Sequence, residues 1–251
     1  MENKIISKGM GSIKFMNSKV TNELYELANS VQGKDLLLFM DVLKALQNTS
    51  IDSRQTEILI KIDFFSMFGN QRELLRIKDL FDNLFHSGQV SQIAKDKVDG
   101  TPLESIVAKY SNGVTKAGKP AARYTVLDID SILRETEEKI MESNLSDLSE
   151  ILKVQNFKEY MGYIGYISGK EEDRRKLYVL NVFPVCRKKD GKQFGYSILT
   201  KSIGSGKESR FTVFNSVFNK DPIKENDIIF CADFTREGPY FTLVSYTHIY
   251  G

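Results

Sequence analysis

The stretch YVLNVFPVCRKKDGKQFGYSILTKSIGSGKESRFTVF, residues 178–214, decides the fold. It holds three β-branched and aromatic runs of strand length, LYVLNVFPV (counting Leu177), QFGYSILTK and SRFTVF, separated by the turn sequences KDGK and SIGSGKE. Reading outward, NSVFNKDPIKEN (215–226) is a short helix-like piece, and DIIFCADF and GPYFTLVSY are two more strands joined around TREG.

Five strands with a helical piece between the third and fourth is the element order of an OB-fold barrel. In such a barrel the ligand face lies on the second and third strands, flanked by the loops after strands one and four. The first loop brings Arg187, Lys188, Lys189 and Lys192 against Asp190 alone, and the second brings Arg236. Phe194 and Tyr196 share a face of strand two by two-residue alternation, with Lys201, Lys207 and Arg210 around the next turn. Between 186 and 220, eight basic residues stand against Asp190 and Glu208. A basic groove floored by aromatic rings suits single-stranded nucleic acid, each stacked base contributing roughly 1–3 kcal/mol. These ten residues are the expected single-strand site.

From Lys14 to about Phe85 the apolar residues recur at helical spacing: Val20, Leu24, Leu27 and Val31; Leu36, Met40, Leu43 and Leu46; Ile58 to Ile62; and Leu74 through Leu84. Asp52 with Gln55, and Asn70 with Glu73, have capping-box spacing. LIKIDFFSMFGNQRELL (59–75) reads as a helix end, a turn anchored by Phe64, Phe65 and Phe68, and a second helix opening at Asn70. A helix N-terminus with free N–H groups is an anion site, and Lys61 and Arg72 add charge. From Gly88 to about Gln155 the pattern weakens: SNGVTKAGKPAAR (111–123) reads as an exposed loop, and the acidic helical stretch after it carries eight acids against Arg134 and Lys139 between 127 and 150. The expectation is a multidomain α+β protein, with an all-α domain over 1–87, a polar helical connector over 88–157 and the barrel over 158–251.

The bounds agree. With 251 residues, 41% hydrophobic and 27% charged, the chain can bury one large core or two smaller ones. A net charge of +2 demands no nucleic-acid partner, so that reading rests on where the charges sit. No leader-like or membrane-spanning apolar run occurs, and a cytoplasmic protein is expected. Cys186 and Cys231 lack metal-ligand spacing and read as free core thiols; no metal or other cofactor is expected. Asp128 and Asp130 read as the start of a helix, with Asp130 its N-cap, and GSGKES (204–209) lacks the context of a phosphate loop. His86 and His248 have no partner at catalytic spacing, so no catalytic residue is assigned.

On LIKIDFFSMFGNQRELL, ENKIISKGMGSIKFMNSKVTNELYEL, KEYMGYIGYISGK and the 178–214 stretch, in that family's order, the chain resembles the C-terminal part of the bacterial DNA polymerase III alpha subunit. The resemblance implies a tandem helix-hairpin-helix domain that holds duplex phosphates without reading sequence, then an OB domain on single-stranded template. It would place the duplex contacts at Lys61, Phe68, Gly69, Asn70 and Arg72 in one hairpin and at Lys14 and Lys19 in the other. Phe15, Asn17 and Asp63 stand where the family carries glycines; Asn17 is a residue type that can take the left-handed conformation. The catalytic palm has no counterpart in this sequence. DNA is the implied partner and the sliding clamp a further one, for which GQVSQI from Gly88 and DLFDNLF (79–85) are incomplete motifs; the latter has the spacing of a core helix face. A stand-alone phage or mobile-element adaptor binding polymerase, clamp or single strands is the alternative.

Overall fold

The computed structural model describes residues 10–31, 38–85 and 90–249. The expectations placed on Leu36, on His86 and on the start of GQVSQI lie outside them, as does the side chain of Val31. The chain divides into two compact units, Met1–Leu148 and Ser149–Gly251.

The first unit opens with helices α1 (Ser18–Val31), α2 (Phe39–Leu46), α3 (Ser53–Lys61) and α4 (Gln71–Leu84). Their starts follow from the capping residues. Asp52 accepts from the Gln55 N–H at 2.7 Å while Gln55 returns a bond to the Asp52 N–H at 3.0 Å. Asn70 and Glu73 repeat the arrangement at 3.0 and 3.1 Å. The apolar stripes meet in one core around Met40, Leu43, Leu59, Leu74, Ile77 and Phe81. Phe81, Leu84 and Phe85 of DLFDNLF are buried there, so that motif is a core face.

Residues 90–148 correct the expectation of a polar helical connector. β1 (Gln92–Ala94), β2 (Ser111–Val114) and β3 (Pro120–Val126) form an antiparallel sheet in the order β1-β3-β2, so SNGVTKAGKPAAR is a hairpin rather than a loop. In β3 only Tyr124 is buried, which is why alternation is faint in the sequence. Between the strands lies α5 (Glu104–Lys109), and after them α6 (Ile129–Glu142). The acidic α6 buries Ile132, Leu133 and Ile140 and also Glu137, whose two carboxylate oxygens accept the N–H groups of Phe39 at 2.6 Å and Met40 at 2.8 Å. The first helices thus continue into one folded unit up to Leu148.

The second unit begins earlier than position 158, with α7 (Glu150–Met161), and continues as β4 (Lys176–Cys186), β5 (Gln193–Ser202), β6 (Glu208–Phe214), the one-turn α8 (Asn215–Phe218), β7 (Ile228–Glu237) and β8 (Tyr240–His248). The strands close a barrel in the order β4-β5-β6-β8-β7, with β6 and β8 parallel and β7 returning to β4 through Leu177 opposite Ile229. This closed five-stranded barrel is consistent with an OB-like fold. Its interior is filled by alternate residues: Leu177 and Val179, Ile198, Phe211 and Val213, Ile229, Leu243. Val154 of α7 packs with Ile164, Tyr178, Ile203 and Ile228 in a second cluster. There the Tyr178 hydroxyl accepts from Lys158 Nζ at 2.8 Å and donates to Asn226 at 2.7 Å. Among the described residues no helix is long and apolar enough to cross a membrane.

Candidate nucleic-acid interface

The turn between α3 and α4 is built as its sequence suggests but is not open. Phe65 and Phe68 lie 5.3 and 5.8 Å from the Phe39 ring, so they anchor the turn on α2. The buried Gln71 side chain donates to the Lys61 carbonyl and to Asp63, tying the start of α4 to the end of α3. Three of the donors expected to face a phosphate are already used. The Gln71 N–H is taken by Asp147 at 3.1 Å, the Glu73 N–H by Asn70, and the Asn70 side-chain amide by the Leu145 carbonyl at 2.8 Å. Arg72 reaches Ser146 at 3.3 Å, Lys61 pairs with Glu57 at 2.6 Å, and a Cβ at Gly69 would come 2.7 Å from Met141 of α6. This corrects the assignment of Phe68, Gly69 and Asn70 to an outward anion site: residues 141–147 cover it, and they were read as connector.

The turn before α1 is the more open of the two. Phe15 adopts φ 66° and Asp63 φ 62°, so two of the three positions that the resemblance would give to glycine have a left-handed backbone with a side chain, while the third, Asn17, is an N-cap, accepting from the Val20 N–H at 2.9 Å. The Phe15 ring is half exposed and carries the Arg54 guanidinium 3.9 Å from its centroid. Lys14 and Lys19 are exposed, Lys19 with Glu23 at 3.8 Å. Arg54 escaped the sequence reading because it reaches this turn from α3, about forty positions away.

On the barrel, the loop after β4 is fully exposed from Arg187 to Lys192 and closes through Gly191 at φ 69°. Arg187 lies 3.9 Å from Asp190, whereas Lys188, Lys189 and Lys192 meet no carboxylate among the described residues. The aromatic pair is split by a β-bulge. Val185 pairs with Gly195 and Cys186 with Gln193, leaving Phe194 as the extra residue, so alternation does not run through it. Tyr196 therefore packs against the barrel core, stacked 3.6 Å from Phe218 of α8, and Phe194 packs 6.0 Å from Phe214. Tyr196 is not a stacking platform. Lys201 is half-buried and its ammonium is tied down by the Ile164 carbonyl at 2.7 Å, so it keeps its charge but does not reach outward as a free side chain would.

Two exposed rings that the sequence reading passed over take their place: Phe183, 48% exposed, and Phe214, 45% exposed. Phe183 faces Ser197 in register, and Ser197 faces Thr212; Phe214 lies two residues beyond Thr212 on the same side of β6, and Arg210 two residues before it. Period two in SRFTVF, with Phe211 and Val213 inward, was the available signal for Phe214. Lys207 is exposed, and Arg236, on the exposed β7–β8 hairpin, donates to the Gly238 carbonyl and lies 5.3 Å from the Phe241 ring. The outer face of β4–β6 with its first loop thus combines exposed rings and cations.

Asp128, not Asp130, caps α6 through Ser131, which holds its carboxyl below the usual range, and Asp130 pairs with Lys44 at 2.6 Å. Cys231 is buried, its thiol pushed up by desolvation, but Cys186 is exposed, against the expectation of two core thiols. His248 lies 3.4 Å from Asp221 and 3.5 Å from Asp227. No group of three or more metal-ligating side chains occurs among the described residues. Comparisons with models of known protein families, with curated proteins and with solved structures give no match.

Proposed function

We propose that this chain binds DNA without reading its sequence, as a C-terminal DNA-holding part of a replicative polymerase of the bacterial DNA polymerase III alpha type. Single strands lie on the outer face of the barrel, read as an OB-fold, between the Arg187–Lys192 loop and the β7–β8 hairpin. Duplex backbone meets the turn before α1 at Lys14, Lys19 and Arg54, in a helix-hairpin-helix role. The observation that carries the reading is the placing of the exposed rings Phe183 and Phe214 on a face whose neighbouring loop offers three lysines unpaired among the described residues. Rings supply sequence-tolerant stacking and lysines supply phosphate neutralisation, which is the combination single-strand binding requires.

Titration of a labelled oligothymidine at two ionic strengths tests it. Affinity is expected to fall steeply with salt. Absence of binding, or affinity that ignores salt, overturns the reading and favours a barrel that binds protein.

A further inference from the structure

The first unit contains a cleft of about 520 Å³ between α4, α6 and residues 97–103, well away in sequence from the turn before α1. Its walls are aliphatic, from Leu80 and Leu84 on one side to Leu103, Ile140 and Leu145 on the other. Three exposed cations, Arg76, Lys97 and Lys139, also line it, and among the described residues no Asp or Glu does, although Arg76 is paired with Asp79 at 3.4 Å outside the lining. Lys139 donates to the Pro102 carbonyl at 2.6 Å and Lys97 to the Asn83 carbonyl at 3.4 Å, bonds that leave both charges uncompensated.

The second observation is Thr136. Its side chain lines the cleft, is 0% exposed, and its hydroxyl has no hydrogen-bond partner among the described residues. A buried hydroxyl without a partner is destabilising and rare in folded proteins, and a mid-helix threonine ordinarily bonds back to a carbonyl of the preceding turn. Valine would fill the same space without that cost. An orphan hydroxyl in an aliphatic cleft is accounted for by a ligand acceptor that completes it.

We propose that this cleft binds a small amphipathic carboxylate with an aliphatic body. The chain fills the leucine and isoleucine walls, the negative charge answers Lys97 and Lys139, and a carboxylate oxygen accepts from the Thr136 hydroxyl. The volume is in the range of small-molecule sites, about 300–1,000 Å³, which are apolar with a few convergent polar groups. The proposal is independent of the DNA reading.

Decanoate, kept below its micelle concentration, is the probe, titrated calorimetrically into the full chain. A Kd of about a millimolar or tighter is expected from the efficiency of ligands of this size. Decan-1-ol should bind roughly tenfold more weakly, as should decanoate to the Lys97→Gln/Lys139→Gln double variant. Thr136→Val should weaken decanoate several-fold while leaving the melting temperature unchanged or higher, a pairing that a merely structural threonine would not give. Ile140→Trp, which fills the cleft, should abolish binding. No decanoate binding, equal affinity for the alcohol, affinity unmoved by Thr136→Val, or binding of an acidic leucine-rich peptide in place of decanoate would each overturn the proposal.

Discussion

The Asp147 carboxylate accepts the backbone N–H of Gln71 at 3.1 Å, so the N-terminus of α4 already holds an anion, and the anion belongs to the protein. A carboxylate in that position offsets the partial positive charge of the helix end, as a bound phosphate would. Asp147→Ala should therefore cost about 1 kcal/mol of stability, the Asn70 cap remaining. Urea denaturation checks this. Duplex affinity should not change, and a rise would show that Asp147 competes with DNA.

The turn before α1 has the opposite expectation. Lys14→Glu combined with Arg54→Glu should lower duplex affinity at least tenfold, on the order of 1.4 kcal/mol or more, and leave oligothymidine binding as it was. Parallel loss of both activities in folded variants would mean one continuous surface. Circular dichroism establishes that the variants fold.

Ring substitutions on the barrel should divide into two kinds. Phe183→Ala and Phe214→Ala remove exposed rings and should each weaken single-strand affinity by roughly 1–3 kcal/mol with little change in melting temperature. Tyr196→Ala removes a ring packed against the core and Phe218, and should instead cost about 3 kcal/mol of stability. Fluorescence titration and thermal melts on the three variants separate the two.

The loop lysines should appear in the salt dependence. Each phosphate neutralised on a single strand contributes about −0.7 to the slope of log affinity against log salt, so Lys188→Gln, Lys189→Gln and Lys192→Gln together should reduce its magnitude by about 2. An unchanged slope would remove the loop from the interface.

Glu137 gives a pH prediction. Burial raises its carboxyl above the ordinary value of 4.5, against the two N–H bonds from Phe39 and Met40 that pull it down. The folded chain then keeps a proton that the unfolded chain has released. Its contribution is full below 4.5 and is lost as pH rises through the raised value. Urea midpoints for the native chain minus Glu137→Gln should therefore fall with rising pH from about 4.5 and then level off. A difference that grows with pH would reverse the sign of the shift. The variant should also be less stable by roughly 1–3 kcal/mol, because its amide nitrogen faces a backbone donor.

Element type was legible wherever one face is strongly apolar. The two capping boxes at Asp52 and Asn70, the four helices, and the five strands of the barrel all follow from local spacing and chemistry. Residues 90–148 were not legible, because their order depends on long-range pairs. Glu137 looks like surface charge until α2 presents Phe39 and Met40 to it, and β3 buries only Tyr124. On the barrel, the expectations at Lys201 and Phe194 missed for the same reason. Lys201 finds the Ile164 carbonyl 37 positions away, and Phe194 is a bulge that two-residue alternation cannot foresee.

That bulge also makes β5 unequal in its tolerance of lost residues. Removing one residue from a strand normally turns everything beyond it inside out, exchanging core for solvent. Phe194 is the supernumerary member of its pairing, so excising it would bring Gln193 next to Gly195 opposite Cys186 and Val185 and leave Tyr196, Ile198 and Thr200 oriented as before. The strand can shorten there by one residue without its frame shifting, whereas the same excision at Ser197 would face Tyr196 and everything before it the wrong way.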